Sequence, residues 1–103
     1  MARLDVLEKL VARGPNDPFP YYGLAQEYRS QGRHDDALRA FGDLRGRFPG
    51  YVPQYLMAAQ MLQELGRTAE ARGWCEAGIE VARTARDGHS LGELESFLGS
   101  LGP

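Results

Sequence analysis

Residues 21–37 read YYGLAQEYRSQGRHDDA and residues 55–71 read YLMAAQMLQELGRTAEA. The two stretches lie 34 positions apart. Between them Tyr21 falls on Tyr55, Ala25 on Ala59, Gln26 on Gln60, Gly32 on Gly66, Arg33 on Arg67 and Ala37 on Ala71. A fixed period of this size is the mark of stacked supersecondary units. In the first stretch Tyr21, Leu24, Ala25 and Tyr28 fall at i, i+3, i+4 and i+7, one face of a helix. Gly32 supplies the residue that ends it. Asp35 or Asp36 then favours a new helix start, where acidic charge meets the helix dipole. The second helix presents Ala37, Leu38, Phe41 and Leu44 and stops before Pro49-Gly50.

The same logic extends outward. Tyr55, Ala58, Ala59 and Leu62 form the stripe of a fourth helix ending at Gly66. Thr68 is the expected cap of a fifth helix, which runs to about Arg86 with Ala71, Cys75, Gly78, Ile79 and Ala82 inward. Upstream, Leu4, Leu7, Leu10 and Val11 make an apolar stripe on a helix over residues 3–13. The run Gly14-Pro15-Asn16-Asp17-Pro18 ends it, and the next helix is expected from about Pro20. Downstream, Asp87-Gly88-His89 breaks the fifth helix, and Ser90-x-x-Glu93 reads as a capping box opening a sixth. Leu91, Leu94, Leu98 and Leu101 are expected to face inward there, with Glu93 and Glu95 in water. No segment alternates with period two, so an all-α fold of about six helices is predicted.

These residues resemble the tetratricopeptide repeat, whose pattern is W-x2-L-G-x2-Y, then a Gly turn, Ala, an aromatic and Pro. Tyr21, Leu24, Ala25, Tyr28, Gly32, Ala37, Phe41 and Pro49 carry it in the first copy. In the second, Tyr55, Ala59, Gly66 and Ala71 match, while Ala58, Leu62, Cys75 and Arg83 replace the Leu, Tyr, aromatic and Pro. Losing that Pro predicts a longer fifth helix. Leu7, Leu10 and Pro15 align with Phe41, Leu44 and Pro49, so residues 1–17 look like half a repeat. Residues 18–51 and 52–85 form the two repeats, and 86–103 form a terminal capping helix, all within one domain. The chain is similar to short stand-alone bacterial members of the family. The resemblance implies a right-handed superhelix of antiparallel helix pairs, stacked because no pair buries enough apolar surface alone.

The resemblance also implies a function. In this family the first helix of each pair lines a concave groove that takes a protein or peptide segment. Its groove positions fall on Phe19, Tyr22, Gln26, Arg29 and Ser30 in the first repeat. In the second they fall on Pro53, Leu56, Gln60, Gln63 and Glu64. Tyr22, Gln26 and Arg29 follow i, i+4 and i+7 off the core stripe, which supports that assignment independently. Phe19 and Tyr22 can stack on apolar ligand side chains, Gln26 and Gln60 can bond a peptide backbone, and Arg29 can pair with a carboxylate. The alternative for Phe19 and Tyr22 is packing against the first helix. The carboxylate clamp of the family's chaperone-binding members is not expected, since Tyr22, Gln26 and Met57 stand at clamp positions. A competing reading is self-association, as a homodimer or assembly, through the repeat ends or the last helix.

Composition narrows the remaining classes. The chain has 103 residues, 43% of them hydrophobic, enough for one packed domain. A net charge of −2 offers no basic footprint for nucleic acid. Arg outnumbers Lys eleven to one, without an evident chemical reason. The first 14 residues carry Asp5 and Glu8 within their apolar stretch, unlike a secretory signal, and no membrane span is expected. A cytoplasmic location is the expectation. One cysteine excludes an internal disulfide and a cysteine metal cluster. Cys75 is expected in the core as a small hydrophobe, and His34 and His89 in a turn and a loop. Asp35-Asp36 lacks the ligand spacing of a calcium loop, and the glycines form no phosphate loop. Gly42, Gly46, Gly73, Gly92 and Gly99 are expected to weaken their helices, and Gly78 to permit close packing. No enzyme activity, metal or cofactor is predicted.

Overall fold

The computed structural model describes residues 2–103. Among these residues there is no strand, and the chain forms six α-helices. They are α1 (Arg3–Ala12), α2 (Pro18–Ser30), α3 (His34–Arg47), α4 (Pro53–Glu64), α5 (Thr68–Ala85) and α6 (Gly88–Ser100). They group into two compact units, one up to Pro49 and one from Gly50 to Pro103.

In the first unit α2 packs against α3 on one side and α1 on the other. Tyr21, Leu24, Ala25, Ala37, Phe41 and Leu44 are buried. The ring of Tyr21 meets that of Phe48 at 5.7 Å, and the Arg47 guanidinium lies 5.1 Å from the Tyr21 ring centre. Two polar ties hold α1 to α2. Tyr28 Oη donates to Glu8 Oε2 at 2.8 Å, and Arg3 pairs with Glu27 at 3.3 Å. Burial and the neighbouring Glu8 carboxylate push the Tyr28 phenol above its ordinary pKa. Gly23 lies under Leu7, whose Cδ2 would stand 3.2 Å from a Cβ at that position.

In the second unit α5 packs against α4 and α6, and α6 also reaches α4. Tyr55, Ala58, Ala59, Leu62, Ala71, Cys75, Ala82 and Leu94 are buried. Tyr55 meets Trp74 at 5.7 Å between ring centres. Gly78 allows the closest approach. A Cβ there would stand 2.5 Å from Tyr55 Cβ and 3.2 Å from Leu94 Cδ1. The other expected weak points, Gly42, Gly46, Gly73, Gly92 and Gly99, face open space.

The repeated Gly-Arg is a helix stop built twice. Gly32 has φ 73° and Gly66 has φ 75°, left-handed values that a Cβ resists. Arg33 N donates to Tyr28 O at 2.9 Å and Gly32 N to Arg29 O at 3.0 Å. Arg67 N donates to Leu62 O at 2.8 Å and Gly66 N to Gln63 O at 3.0 Å. Both sets are Schellman motifs, which satisfy the last carbonyls of the helix. The Arg side chain then reaches an acid in the first turn of the next helix. Arg33 Nε donates to Asp36 Oδ2 at 2.8 Å, and Arg67 grips both Glu70 oxygens at 2.8 Å. Hydrogen bonds from Arg33, and also from Arg39, hold the Asp36 carboxyl below its usual pKa.

Several expectations need correction. Helix α2 starts at Pro18, with Asp17 Oδ1 accepting from Phe19 N at 3.0 Å. Thr68 is not a cap: it is the first residue of α5, and its hydroxyl donates to Gln63 Oε1 at 3.2 Å. His34 likewise opens α3. Ser90 is not the cap of α6 either. Asp87 is, accepting from Ser90 N at 3.0 Å and Ser90 Oγ at 2.7 Å, because an ionised carboxylate outcompetes a hydroxyl for the first-turn donors. Leu10 does not belong to the inward stripe of α1, being 38% exposed. In α6 only Leu94 is fully buried, while Leu91, Leu98 and Leu101 are half-covered. The longer α5 expected from the missing Pro is present, at 18 residues against 14 in α3.

Candidate functional site

The site residues assigned from the repeat pattern fall on α2 and α4, in separate units. On α2, Tyr22, Gln26 and Arg29 share one face and are half-buried, whereas Ser30 is exposed. Gln26 Nε2 donates to Tyr22 Oη at 3.4 Å. Gln26 Oε1 is buried and has no hydrogen-bond partner among the described residues. Ser30 turns back on its own helix, donating to Glu27 O at 2.9 Å. Phe19 is 67% exposed, and Leu7 of α1 covers α2 at Gly23.

On α4, Leu56 and Gln60 line an open cleft of about 670 Å³ whose far wall is α6. That wall is low. Gly88, Gly92, Ser96 and Ser100 recur every fourth residue and place almost no side-chain bulk in the cleft. Phe97 adds an aromatic edge, and His89 pairs with Glu93 at 3.2 Å on the rim. Pro53, Gln63 and Glu64 do not line this cleft. Gln63 is turned to Thr68, at the start of α5. The last residues leave the cleft open: Arg72 Nη2 on α5 donates to Gly102 O at 2.8 Å.

A family model of the tetratricopeptide repeat matches residues 28–92, more than half of the chain. The chain belongs to the tetratricopeptide repeat family. Its fold is similar to a tetratricopeptide repeat domain protein from Salinibacter ruber, solved by NMR. The two are 34% identical, with a TM-score of 0.79 over 84% of this chain and 87% of that one. A Bordetella parapertussis protein shares 27% identity and a TM-score of 0.81, covering 98% of this chain and 88% of that one. The type III secretion translocator chaperone SycD of Yersinia enterocolitica shares the fold at 18% identity. Its TM-score is 0.83, over 95% of this chain and 68% of that chain. No curated protein matches the chain.

Cys75, the one thiol of this tetratricopeptide repeat chain, lies in the core of the second unit. Cys75 is fully buried, and desolvation, helped by Glu76, pushes its thiol up to about 11. At neutral pH it is a protonated core residue, not a thiolate. Among the described residues no group of three or more His, Cys, Asp or Glu side chains could hold a metal ion, and no helix is long and apolar enough to cross a membrane. The repeat pattern missed the α6 wall altogether, because α6 follows no 34-residue match. Its signal was nevertheless present: small residues at every fourth position from Gly88 to Ser100.

Proposed function

We propose that the chain is a protein-interaction module that takes a peptide or protein segment along the exposed faces of its first-of-pair helices. The observation that carries the reading is the cleft of the second unit. It combines an apolar side chain (Leu56), an amide (Gln60), an aromatic (Phe97) and a low Gly/Ser wall. Such a surface fits a polypeptide. The small residues let a backbone approach, the amide bonds its peptide groups, and Leu56 and Phe97 flank an apolar anchor. The imidazole of His89 and the carboxylate of Glu93 meet on the rim of the cleft, and the thiol of Cys75 is in the core. In the first unit, Phe19, Tyr22, Gln26 and Arg29 on α2 offer aromatic, amide and cationic groups of similar chemistry. Family membership supports the reading, and so does a fold neighbour that is a translocator chaperone.

The test is a selection of displayed peptides against the wild-type chain, followed by titration of the winners against two double variants. Leu56→Ala with Phe97→Ala, and Tyr22→Ala with Arg29→Ala, should each weaken binding about 30-fold, the cost of roughly 2 kcal/mol at a hot spot. Helicity should be unchanged, because none of the four side chains is fully buried. Selected peptides that bind both variants like the wild type would remove the reading.

A further inference from the structure

The outer face of the first helix and a second cleft, between the last two helices, carry opposite charge around matching apolar centres. Helix α1 buries Leu4, yet Val6 and Leu10 remain 43% and 38% exposed, one turn apart. Lys9 and Arg13 stand at i+3 and i+7 from Val6, on that same face, while Arg3 is held by Glu27 of α2. The helix's two acids lie off it, at i−1 and i+2, and Glu8 is held by Tyr28. In the second unit α5 and α6 leave a cleft of about 490 Å³. Its floor is Ile79, Leu98 and the bare backbone of Gly99. Its rim is Glu76, Glu80 and Glu95, with Arg83 committed to Glu80 at 2.7 Å. This cleft shares no residue with the one lined by Leu56 and Gln60.

We propose that the α5/α6 cleft receives helix α1 of a second copy of this chain. Val6 and Leu10 meet the half-covered Leu98 beside the buried Ile79, so the apolar surface that α1 leaves in water is covered on docking. Lys9 and Arg13 face Glu76 and Glu95, so the charge pattern selects this partner and sets its register. The order of helices agrees. Leu7, Leu10 and Pro15 align with second-of-pair positions, and α6 packs on α5 and reaches α4 as the first helix of another pair would. Docked α1 and α6 would therefore form a pair across two copies. The surfaces are different patches, so the contact is heterologous, and copies join head to tail into chains or rings. The Leu56/Gln60 cleft stays open in every copy.

Sedimentation velocity from about 1 μM to about 1 mM tests this. The expected result is a mass that climbs past the monomer with concentration. Raising NaCl from about 0.05 M to about 0.5 M should weaken association about tenfold, as screening requires. Lys9→Glu with Arg13→Glu should abolish it, and so should Glu76→Lys with Glu95→Lys; all four side chains are exposed. Neither double variant associates alone, but an equimolar mixture does, because each reversed surface finds its complement. Leu10→Ser is a charge-neutral check and should also lower the mass. A monomer across the whole range, an oligomer indifferent to both charge reversals, or a mixture that stays monomeric would each overturn the proposal. The first outcome would leave the cleft to a basic segment of some other protein.

Discussion

Adding one methyl group at Gly78 should do the opposite of adding one at Gly73, although both lie in α5. Gly73 has nothing within 4 Å of an ideal Cβ, so Gly73→Ala only removes the glycine penalty and should stabilise by about 1 kcal/mol. At Gly78 the same helix gain of about 1 kcal/mol is opposed by overpacking. The new Cβ would sit 2.5 Å from Tyr55 Cβ and 3.0 Å from Tyr55 Cγ. A Cβ cannot rotate away, so α5 and α4 must separate, at a cost toward the upper end of the ~1–3 kcal/mol seen for overfilled cores. The net for Gly78→Ala is then about 2 kcal/mol of destabilisation. For a chain of this size that is a fall of roughly 8–16 °C in Tm, with Gly73→Ala rising by about 4–8 °C. Thermal and urea melts followed by far-UV circular dichroism read both. Gly78→Ala at or above wild-type stability would refute the claim that helix contact, not chance, keeps a glycine there.

Two further outcomes follow from helix ends. Arg86 holds φ 56° where Gly14, Gly32, Gly66 and Gly102 stand at other helix ends, so Arg86→Gly should stabilise by about 1 kcal/mol in the same melts; destabilisation would mean the side chain matters more than the backbone. Hydrogen bonds from Ser90 N and Oγ hold the Asp87 carboxyl below the usual carboxylate range. A depressed folded pKa gives stability that is present above about pH 3.8 and lost as pH falls through the folded value. Asp87→Asn, which caps without titrating, should therefore flatten part of the acid limb of the stability profile; an unchanged limb would show that Asp87 is not the group responsible.

The helix stops were legible because glycine at a left-handed φ leaves a plain sequence mark, as at Gly32 and Gly66. The starts were less so. Asp17-Pro18 sits in a run that reads as a breaker, yet Asp at the cap and Pro at the first position are also good helix openings, and the second meaning prevailed. Asp87 was hidden in the same way beside Ser90. Leu10 fitted the apolar period of α1, but the main neighbour of α1 is α2, and one neighbour cannot cover a stripe that wide. On the site, Leu56 and Gln60 were assigned by repeat register and do share a cleft. Gln63 was assigned by the same rule and instead serves the turn into α5. Register places a residue near a groove; it does not decide whether a local hydrogen bond claims its side chain.

The sparse identity between the repeats has a physical reason of the same kind. Slid by 34 residues, Ala40 falls on Trp74 and Leu44 on Gly78, two positions one helical turn apart. The first repeat puts its bulk at the second position and the second repeat at the first. Leu44 is fully buried in one unit. In the other, Trp74 lies against Tyr55 while Gly78 yields to it. A packed interior conserves volume over a contact, not over a position, so paired exchanges of large and small residues pass where a single one would fail. Four of the six identities are those no exchange can replace: the left-handed glycine, the Arg that reaches the next helix's first turn, and two alanines at close helix contacts; the other two are the buried Tyr21/Tyr55 pair and the Gln26/Gln60 pair. A protein that holds its backbone geometry with so few fixed residues keeps its outward faces free to differ. Of the residues proposed here for recognition, Leu56 falls on Tyr22 and differs, while Gln60 falls on Gln26 and is the same.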